Sequence, residues 1–240
     1  EESTEMRQNN HQRCSNGGTC NSHEHELQDL GSLGEVLLNG EHVGSHLSRV
    51  ELVGQTVPQG NAGVPVWNGL TTEFHPTQMI ADMLTVQENF PQGIKGLKFV
   101  FMGDARNNVA NSLMVVCSKL GLHFVACGPK DLMPADELVA QCREIAEETG
   151  GSITLTDDPV EACTGAHVVY TDIWVSMGEP AELWEKRIKE LSPYRVTEKL
   201  MALTDSESIF MHCLPSFHDT KTTIGADIAE RFGVPAMEVE

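Results

Sequence analysis

The chain has 240 residues, enough for one large domain or two small ones, and no apolar run approaches the roughly 20 residues of a membrane-spanning helix. Its net charge of −19, from 16 basic and 35 acidic residues, argues against nucleic-acid binding, which depends on many Lys and Arg contacts to phosphate. No secretory segment is recognisable, and five of the seven cysteines lie in apolar segments, so we expect a reduced, cytoplasmic protein.

The composition changes near residue 63. Residues 1–63 contain no Phe, Tyr, Trp, Ile or Lys, and their only Ala is Ala62. Because so few large apolar side chains cannot offset the loss of chain entropy on folding, we expect a largely irregular segment. Its His and Cys side chains form either a zinc site or part of an unstructured tail. Their spacing matches no usual zinc pattern. These residues are His11, Cys14, Cys20, His23 and His25.

From residue 64 onward, short apolar runs alternate with segments of helical periodicity. The first helix is expected from Pro76, because proline suits the first helical position and an apolar helical pattern follows over 79–86. The pattern then predicts strands at 97–102, 123–127, 152–155, 167–171 and 209–213, and helices at 107–120, 134–149, 159–163, 180–191, 197–203 and 224–232. Strict alternation of this kind predicts an α/β fold with a doubly wound parallel sheet.

In such a sheet, ligands bind beyond the carboxyl ends of the strands. Residues 103–108 follow the first strand and open a helix, but they form neither a Gly-x-Gly-x-x-Gly loop nor a P-loop. Amides at this helix start are suited to holding an anion. Alternatively, Asp104 and Asn107 serve only as helix caps.

Two further strands end at residues that carry chemistry. Asp172, followed by Ser176 and Met177, is suited to pairing with a substrate ammonium group, or it simply caps the turn. Cys213, within the run His-Cys-Leu-Pro at 212–215, is a candidate nucleophile, a positioned polar group or a packing residue. No Gly-x-Ser-x-Gly elbow supports a hydrolase.

The run His-Pro-Thr-Gln at 75–78 precedes the first helix. With Pro76 at the first helical position, His75 and Gln78 are expected to face the same way, one turn apart. Such a pair is suited to donating hydrogen bonds to a small carbonyl compound. The alternative is a purely structural helix start with a solvent-facing histidine.

Taken together, these motifs closely resemble the ornithine carbamoyltransferases of the aspartate/ornithine carbamoyltransferase family, over residues 64–240. The motifs are Val-Pro-Val-Trp-Asn-Gly-Leu at 64–70, His-Pro-Thr-Gln at 75–78, the loop at 103–108, Asp172 with Ser-Met-Gly at 176–178, and His-Cys-Leu-Pro at 212–215. The resemblance implies transfer of a carbamoyl group from carbamoyl phosphate to the side-chain amine of ornithine, giving citrulline and phosphate. It also implies a role in arginine metabolism and amino-acid biosynthesis, a homotrimer, and no metal or organic cofactor.

The resemblance also implies roles for individual residues. His75 and Gln78 would contact the carbamoyl group, and Cys213 with the Leu214 carbonyl would lie against that group and the attacking amine. The amino-acid end of ornithine would be held by Asn108, Asp172, Ser176 and Met177. Among all of these, His75, Asp172 and Cys213 are the expected catalytic residues.

The sequence departs from the family on its amino-terminal side. The Ser-Thr-Arg-Thr-Arg motif that grips phosphate in the family is not found, and residues 1–63 hold only Arg7, Arg13 and Arg49. We therefore expect an atypical segment at 1–63 in place of the carbamoyl-phosphate domain, an ornithine-binding α/β domain at 64–240, and impaired activity. The alternative is a non-catalytic fragment that binds ornithine or another basic amino acid. An oxidoreductase is disfavoured because the dinucleotide fingerprint is absent.

Overall fold

The computed structural model describes residues 69–175, 181–214, 216, 219–234 and 237–239. The expected irregular segment at 1–63, with its histidines and cysteines, lies outside these residues, so the proposed division at residue 63 stays a prediction. No helix in the described part of the chain is both long and apolar enough to cross a membrane.

Strands and helices alternate along the described chain. The strands are β1 (Lys98–Met102), β2 (His123–Cys127), β3 (Ser152–Thr156), β4 (Val168–Thr171) and β5 (Ile209–His212). The α-helices are α1 (Pro76–Asn89), α2 (Asn108–Leu120), α3 (Asp136–Thr149), α4 (Pro159–Cys163), α5 (Ala181–Leu191), α6 (Glu198–Met201) and α7 (Thr223–Phe232). Short 3-10 turns occupy Lys130–Leu132 and Ser192–Tyr194.

The five strands form one parallel sheet in the order β3-β2-β1-β4-β5. This arrangement, with helices flanking the sheet, confirms the α/β doubly wound fold predicted from the sequence. The chain reverses its direction of winding between β3 and β4, which lie on opposite sides of β1. Ligands bind at such a reversal in open α/β sheets, beside the carboxyl ends of the central strands.

The core consists of apolar side chains on both faces of the sheet. On one face, Phe99 and Phe101 of β1 stack with Tyr170 of β4, with ring centroids 6.0 and 6.1 Å apart. On the other face, Val100 and Met102 are fully buried in a cluster that includes residues of α4. Both faces of the central strands are therefore dry, as expected for a parallel sheet covered by helices.

Several predicted boundaries differ from the structure, and the differences at α3, β5 and α6 are the most informative. Helix α1 does begin at Pro76, as predicted, but α3 begins at Asp136 rather than at residue 134, so Pro134 lies before the helix. The last strand ends at His212, which leaves Cys213 just beyond the strand rather than within it. Helix α6 is a single turn instead of the longer helix predicted at 197–203. Element ends are where local pattern is least informative, because they are decided by capping and tertiary contacts.

Two glycines shape the carboxyl edge of the sheet beside β1 and β2. Gly103 has a φ of +129°, a backbone conformation that other residues rarely adopt. A Cβ atom on Gly128 would lie only 2.1 Å from the Gly103 carbonyl oxygen. This close approach lets the Gly103 amide donate to the Cys127 carbonyl oxygen at 2.9 Å, so the loop after β1 stays against the end of β2.

We expect Gly128→Ala to destabilise the protein, because its methyl group would collide with backbone rather than with a movable side chain. The free energy of unfolding should fall by roughly 1–3 kcal/mol, as for other overpacked sites, and thermal denaturation should show a lower midpoint. Gly69→Ala is the matched control, because a Cβ atom at position 69 meets nothing within 4 Å. Equal stability of the two variants would contradict this account.

Candidate active site

The carboxyl ends of three adjacent strands bring chemically active side chains together. Strand β1 lies next to β4, and β4 lies next to β5. Asn107 follows β1, Asp172 follows β4 directly, and Cys213 follows β5 directly. Because parallel strands end at the same edge of the sheet, three segments distant in sequence meet there.

The carboxylate of Asp172 is the centre of this meeting point. Its Oδ1 accepts hydrogen bonds from the Cys213 thiol, with Sγ at 2.6 Å, and from the Ile173 amide at 2.7 Å. Its Oδ2 accepts a hydrogen bond from Asn107 Nδ2 at 3.0 Å. The carboxylate is therefore held by groups from all three strand ends, with both oxygens used.

The surroundings of Asp172 and Cys213 shift both groups toward their protonated forms. Burial raises the pKa of Asp172, although the Cys213 thiol and the Ile173 amide act in the opposite direction. Burial also raises the pKa of Cys213 well above its ordinary value, and the neighbouring Asp172 carboxylate raises it further. Since the thiolate is the nucleophilic form of cysteine, this environment favours a positioned thiol donor over a nucleophile.

His212 and Glu238 form a second buried contact next to Cys213. Their side chains are 7% and 0% exposed, and His212 Nε2 lies 3.3 Å from Glu238 Oε1. His212 Nδ1 contacts the Cys213 carbonyl oxygen. The histidine thus joins the carboxyl end of β5 to the last described segment of the chain.

His75 and Gln78 lie at the start of α1. His75 is the N-cap residue, and its Nδ1 accepts a hydrogen bond from the backbone amide of Gln78 at 3.3 Å. Because Nδ1 accepts, this network assigns the proton of a neutral His75 ring to Nε2, which remains a donor. The expected structural role as a helix start and a chemical role for the ring are therefore compatible in the same side chain.

Hydrogen bonds connect α2 to the segment that leads into α1. The His75 amide donates to the buried Ser112 hydroxyl at 2.8 Å, and Asn108 Nδ2 donates to the Thr71 carbonyl oxygen at 2.7 Å. Asn108 directly follows Asn107, the residue bound to Asp172. The His75 segment and the Asp172 cluster are thus linked through the first turns of α2.

Of the remaining predicted site residues, the structure describes Asn108 and Leu214. Leu214 is 87% exposed, and only its neighbour Cys213 lies in the cluster. The Nδ2 group of Asn108 is already used by the backbone, as described above. Ser176 and Met177 lie outside the described residues.

Sequence reasoning overlooked three members of this region. Asn107 was considered only as a helix cap; its side chain does accept from the Ala110 amide at 2.7 Å, but it also binds Asp172. The sequence patterns predict no site role for Asp82 or Tyr170. A signal for Asp82 was present, because it is a charged residue among the buried apolar side chains Met79 and Met83 of α1.

Comparison with known proteins identifies the class to which this sheet and cluster belong. The sequence model of the family "Aspartate/ornithine carbamoyltransferase, Asp/Orn binding domain" matches residues 95–236. These residues contain all five strands and the Asn107–Asp172–Cys213 cluster. The chain therefore belongs to the aspartate/ornithine carbamoyltransferase family, as the motifs predicted.

Individual relatives are named for ornithine. The chain is 62% identical over 178 residues to the catabolic ornithine carbamoyltransferase of Treponema denticola, covering 74% of this chain and 52% of that protein. It is 57% identical over 178 residues to the catabolic ornithine carbamoyltransferase of Mycoplasma capricolum, covering 74% and 57%. The chain spans about half the length of the curated relatives it matches.

Solved structures show the same similarity. The structure aligns with the ornithine carbamoyltransferase from Pyrococcus furiosus at a TM-score of 0.60 and 42% identity, covering 65% of this chain and 49% of that one. For the ornithine transcarbamoylase from Giardia lamblia, the TM-score is 0.58 at 41% identity, with 65% and 52% covered.

The Cys213–Asp172 contact predicts how the thiol reacts. In Asp172→Asn, the pKa of Cys213 should fall because the carboxylate that raises it is gone, so more thiolate should be present at a fixed pH. Alkylation of Cys213 by iodoacetamide, followed at pH about 8.5 by peptide mass spectrometry, should become several-fold faster. Cys127 serves as an internal control, because its pKa of about 12 is set mainly by burial elsewhere in the core. Unchanged or slower alkylation of Cys213 would contradict the assignment.

The raised pKa of Asp172 predicts a pH dependence of stability. A raised folded-state pKa means that the native state holds this proton more tightly than the unfolded chain does. Its contribution therefore favours folding most below the unfolded-state pKa of about 3.9 and is lost as the pH rises through the folded-state value. Between pH of about 4 and 7, chemical denaturation should show the unmodified chain losing stability relative to Asp172→Asn. If the unmodified chain instead gained stability relative to Asp172→Asn over this range, the predicted sign would be refuted.

Proposed function

We propose that this chain is a carbamoyltransferase of the ornithine type, which moves the carbamoyl group of carbamoyl phosphate to the side-chain amine of ornithine and forms citrulline and phosphate. The observation that carries this proposal is the Asp172 carboxylate, held between Cys213 and Asn107 at the winding reversal of the sheet. The names of the relatives support ornithine as the amino acid.

The amine must lose a proton before it can attack. An ornithine side-chain amine has a lysine-like pKa of about 10.4 in water, and a desolvated site lowers it. We propose that Asp172 and Cys213 receive the amino-acid substrate, with Asp172 providing the negative charge that attracts it. The amino-acid end would also contact Asn108, Ser176 and Met177, and the Leu214 carbonyl would lie beside the attacking amine.

Attack by the amine places negative charge on the carbamoyl oxygen. The Nε2–H of His75, left free because Nδ1 accepts from the Gln78 amide, is suited to donating to that oxygen. Gln78, one turn further along α1, would contact the same carbamoyl group. Holding the two substrates in register would provide much of the remaining rate enhancement.

The direction and setting of the reaction belong to the same proposal. Because the curated relatives are named catabolic, we propose a catabolic role in arginine metabolism, and the expected role in amino-acid biosynthesis gains no support from them. The homotrimer implied by the resemblance and the cytoplasmic location expected from the cysteines remain predictions. Sedimentation of the purified chain tests the trimer.

Ornithine binding to the full chain, measured by calorimetry, tests the amino-acid site. Replacing Asp172 by Asn removes a charged partner, so ornithine affinity should fall by about tenfold or more. Glu148→Gln is the matched control, because it makes the same change of charge at an exposed position in the last turn of α3. Equal ornithine affinity of the Asp172→Asn variant and the unmodified chain would refute the proposed role of Asp172.

A second measurement separates the enzyme from a binding protein. The sequence lacks the phosphate-gripping Arg motif, so we expect citrulline formation to be slower than in a relative that carries it. Ornithine binding with no binding of carbamoyl phosphate and no citrulline would favour the alternative, a non-catalytic protein that binds a basic amino acid. Citrulline formation at a relative's rate would refute the expected impairment.

A further inference from the structure

Asp82 is a carboxyl group in a place where carboxyl groups are costly. Its side chain is 5% exposed, and it lies on the face of α1 that buries Met79, Met83 and Val86. Burial of an ionised carboxylate is unfavourable unless donors compensate it. The contacts of Asp82 must therefore compensate for the cost of burying its carboxyl group.

Those contacts lead to the proposed carbamoyl site. Asp82 Oδ1 accepts a hydrogen bond from Gln78 Nε2 at 2.9 Å, and these residues are one helical turn apart. Burial raises the pKa of Asp82, while the hydrogen bond from Gln78 and, to a smaller degree, the nearby Tyr170 hydroxyl act to lower it. Asp82 Oδ2 and the Tyr170 hydroxyl oxygen are buried, without a conventional hydrogen bond among the described residues. Among the described residues, Gln78 is therefore the main hydrogen-bond donor to this carboxylate, and the Tyr170 hydroxyl is a second, weaker partner.

The contact fixes which end of the Gln78 amide is available. A glutamine amide has a donor end, Nε2, and an acceptor end, Oε1. Rotating the amide by half a turn would place Oε1 against the Asp82 carboxylate, so two acceptors would face each other in a buried place. With Nε2 committed to Asp82, the end that Gln78 can offer to a ligand is the acceptor, Oε1.

We propose that Asp82 is a positioning residue that orients Gln78 so that Oε1 accepts a hydrogen bond from the N–H of the carbamoyl group. This inference rests on the proposed function, which supplies carbamoyl phosphate as the ligand. It adds a specificity mechanism, because an acceptor selects a carbamoyl donor, which has an NH₂ group, over an acyl donor, which has a methyl group at the same position. A site built around a hydrogen bond rejects an analogue that lacks the partner group.

The orientation of Gln78 can be measured without any ligand. In the full chain labelled with ¹⁵N-glutamine, the Gln78 side-chain amide should exchange slowly with water, because one of its protons is bound to a buried carboxylate. Its signal is assigned by its absence in Gln78→Leu. The exposed Gln92 is the internal reference, and Thr85→Ala, two turns beyond Gln78 on an exposed part of the helix, is the control variant.

In Asp82→Asn, the protection of the Gln78 amide should be reduced several-fold, whereas Thr85→Ala should leave it unchanged. A Gln78 amide in the unmodified chain that exchanges as fast as that of Gln92 would overturn the proposed positioning. So would protection that survives in Asp82→Asn.

Specificity is tested by comparing carbamoyl phosphate with acetyl phosphate. Because both compounds carry the same phosphate group, the ratio of their dissociation constants isolates the NH₂ or methyl substituent. By NMR titration, the unmodified chain should prefer carbamoyl phosphate by about tenfold. This is the effect expected of a single hydrogen bond whose buried acceptor would otherwise be unpaired. Asp82→Asn should bring the ratio close to one, because the new amide can hold Gln78 in either orientation.

A reciprocal exchange provides the rescue. In the double variant Gln78→Glu/Asp82→Asn, the new amide at position 82 can donate to the new carboxylate at position 78, whose other oxygen again faces the ligand as an acceptor. The preference for carbamoyl phosphate should then return, which loss of packing alone could not produce. If circular dichroism shows that the double variant is folded and it still does not regain the preference, the inference is overturned.

The outcomes separate this inference from the proposed function. Binding of carbamoyl phosphate with an unchanged ratio in Asp82→Asn overturns the role of Asp82 and leaves the proposed function intact. Binding of neither compound to the unmodified chain at millimolar concentration refutes the proposed substrate and, with it, the specificity role assigned to Asp82.

Discussion

The hydrogen bonds of the Asp172 carboxylate are the interaction on which the described site depends. Three strand ends contribute to it: Asn107 after β1, the carboxylate itself after β4, and Cys213 after β5. These contacts require the strand order and the parallel register of the sheet, since antiparallel neighbours would end at opposite edges. The fold therefore serves the site chiefly by aligning the ends of β1, β4 and β5.

The acidity of this region has a physical consequence. Asp82 and Asp172 are both held in environments where burial raises the pKa, and each carboxylate raises the pKa of Cys213. Such a cluster is costly to an isolated protein, and it attracts a cationic ligand strongly because little water screens the charge. A cationic amino acid, the ligand class that the proposed function assigns to Asp172, would supply the opposite charge.

Two different parts of the fold position the described site residues. The Asp172 cluster depends on the sheet, whereas His75 and Gln78 depend on α1 and its attachment to α2 through Ser112. The two parts meet at the start of α2, where Asn107 binds Asp172 and Asn108 binds the Thr71 carbonyl oxygen. A shift of the backbone at the start of α2 would therefore move residues in both parts of the site.

Local pattern was sufficient to predict most of the fold and part of the site. The alternation of apolar runs with helical periodicity predicted all five strands, and the proline at position 76 correctly predicted the start of α1. The same use of proline as a helix start was wrong at residue 134, because a proline can also precede a helix by two positions, as the start of α3 at Asp136 shows. His75, Asp172 and Cys213 could be singled out because each lies at an element boundary.

By itself, the sequence determined the alternating elements, the parallel sheet and the family, since these follow from periodicity and from motifs that are contiguous in the chain. Only the tertiary structure decided that Asn107 binds Asp172, that Cys213 is a donor to the same carboxylate, and that Gln78 donates to a buried Asp82. The physical reason is that a hydrogen bond between side chains 41 or 65 residues apart depends on strand order and register. Neither of these leaves a mark in the local sequence.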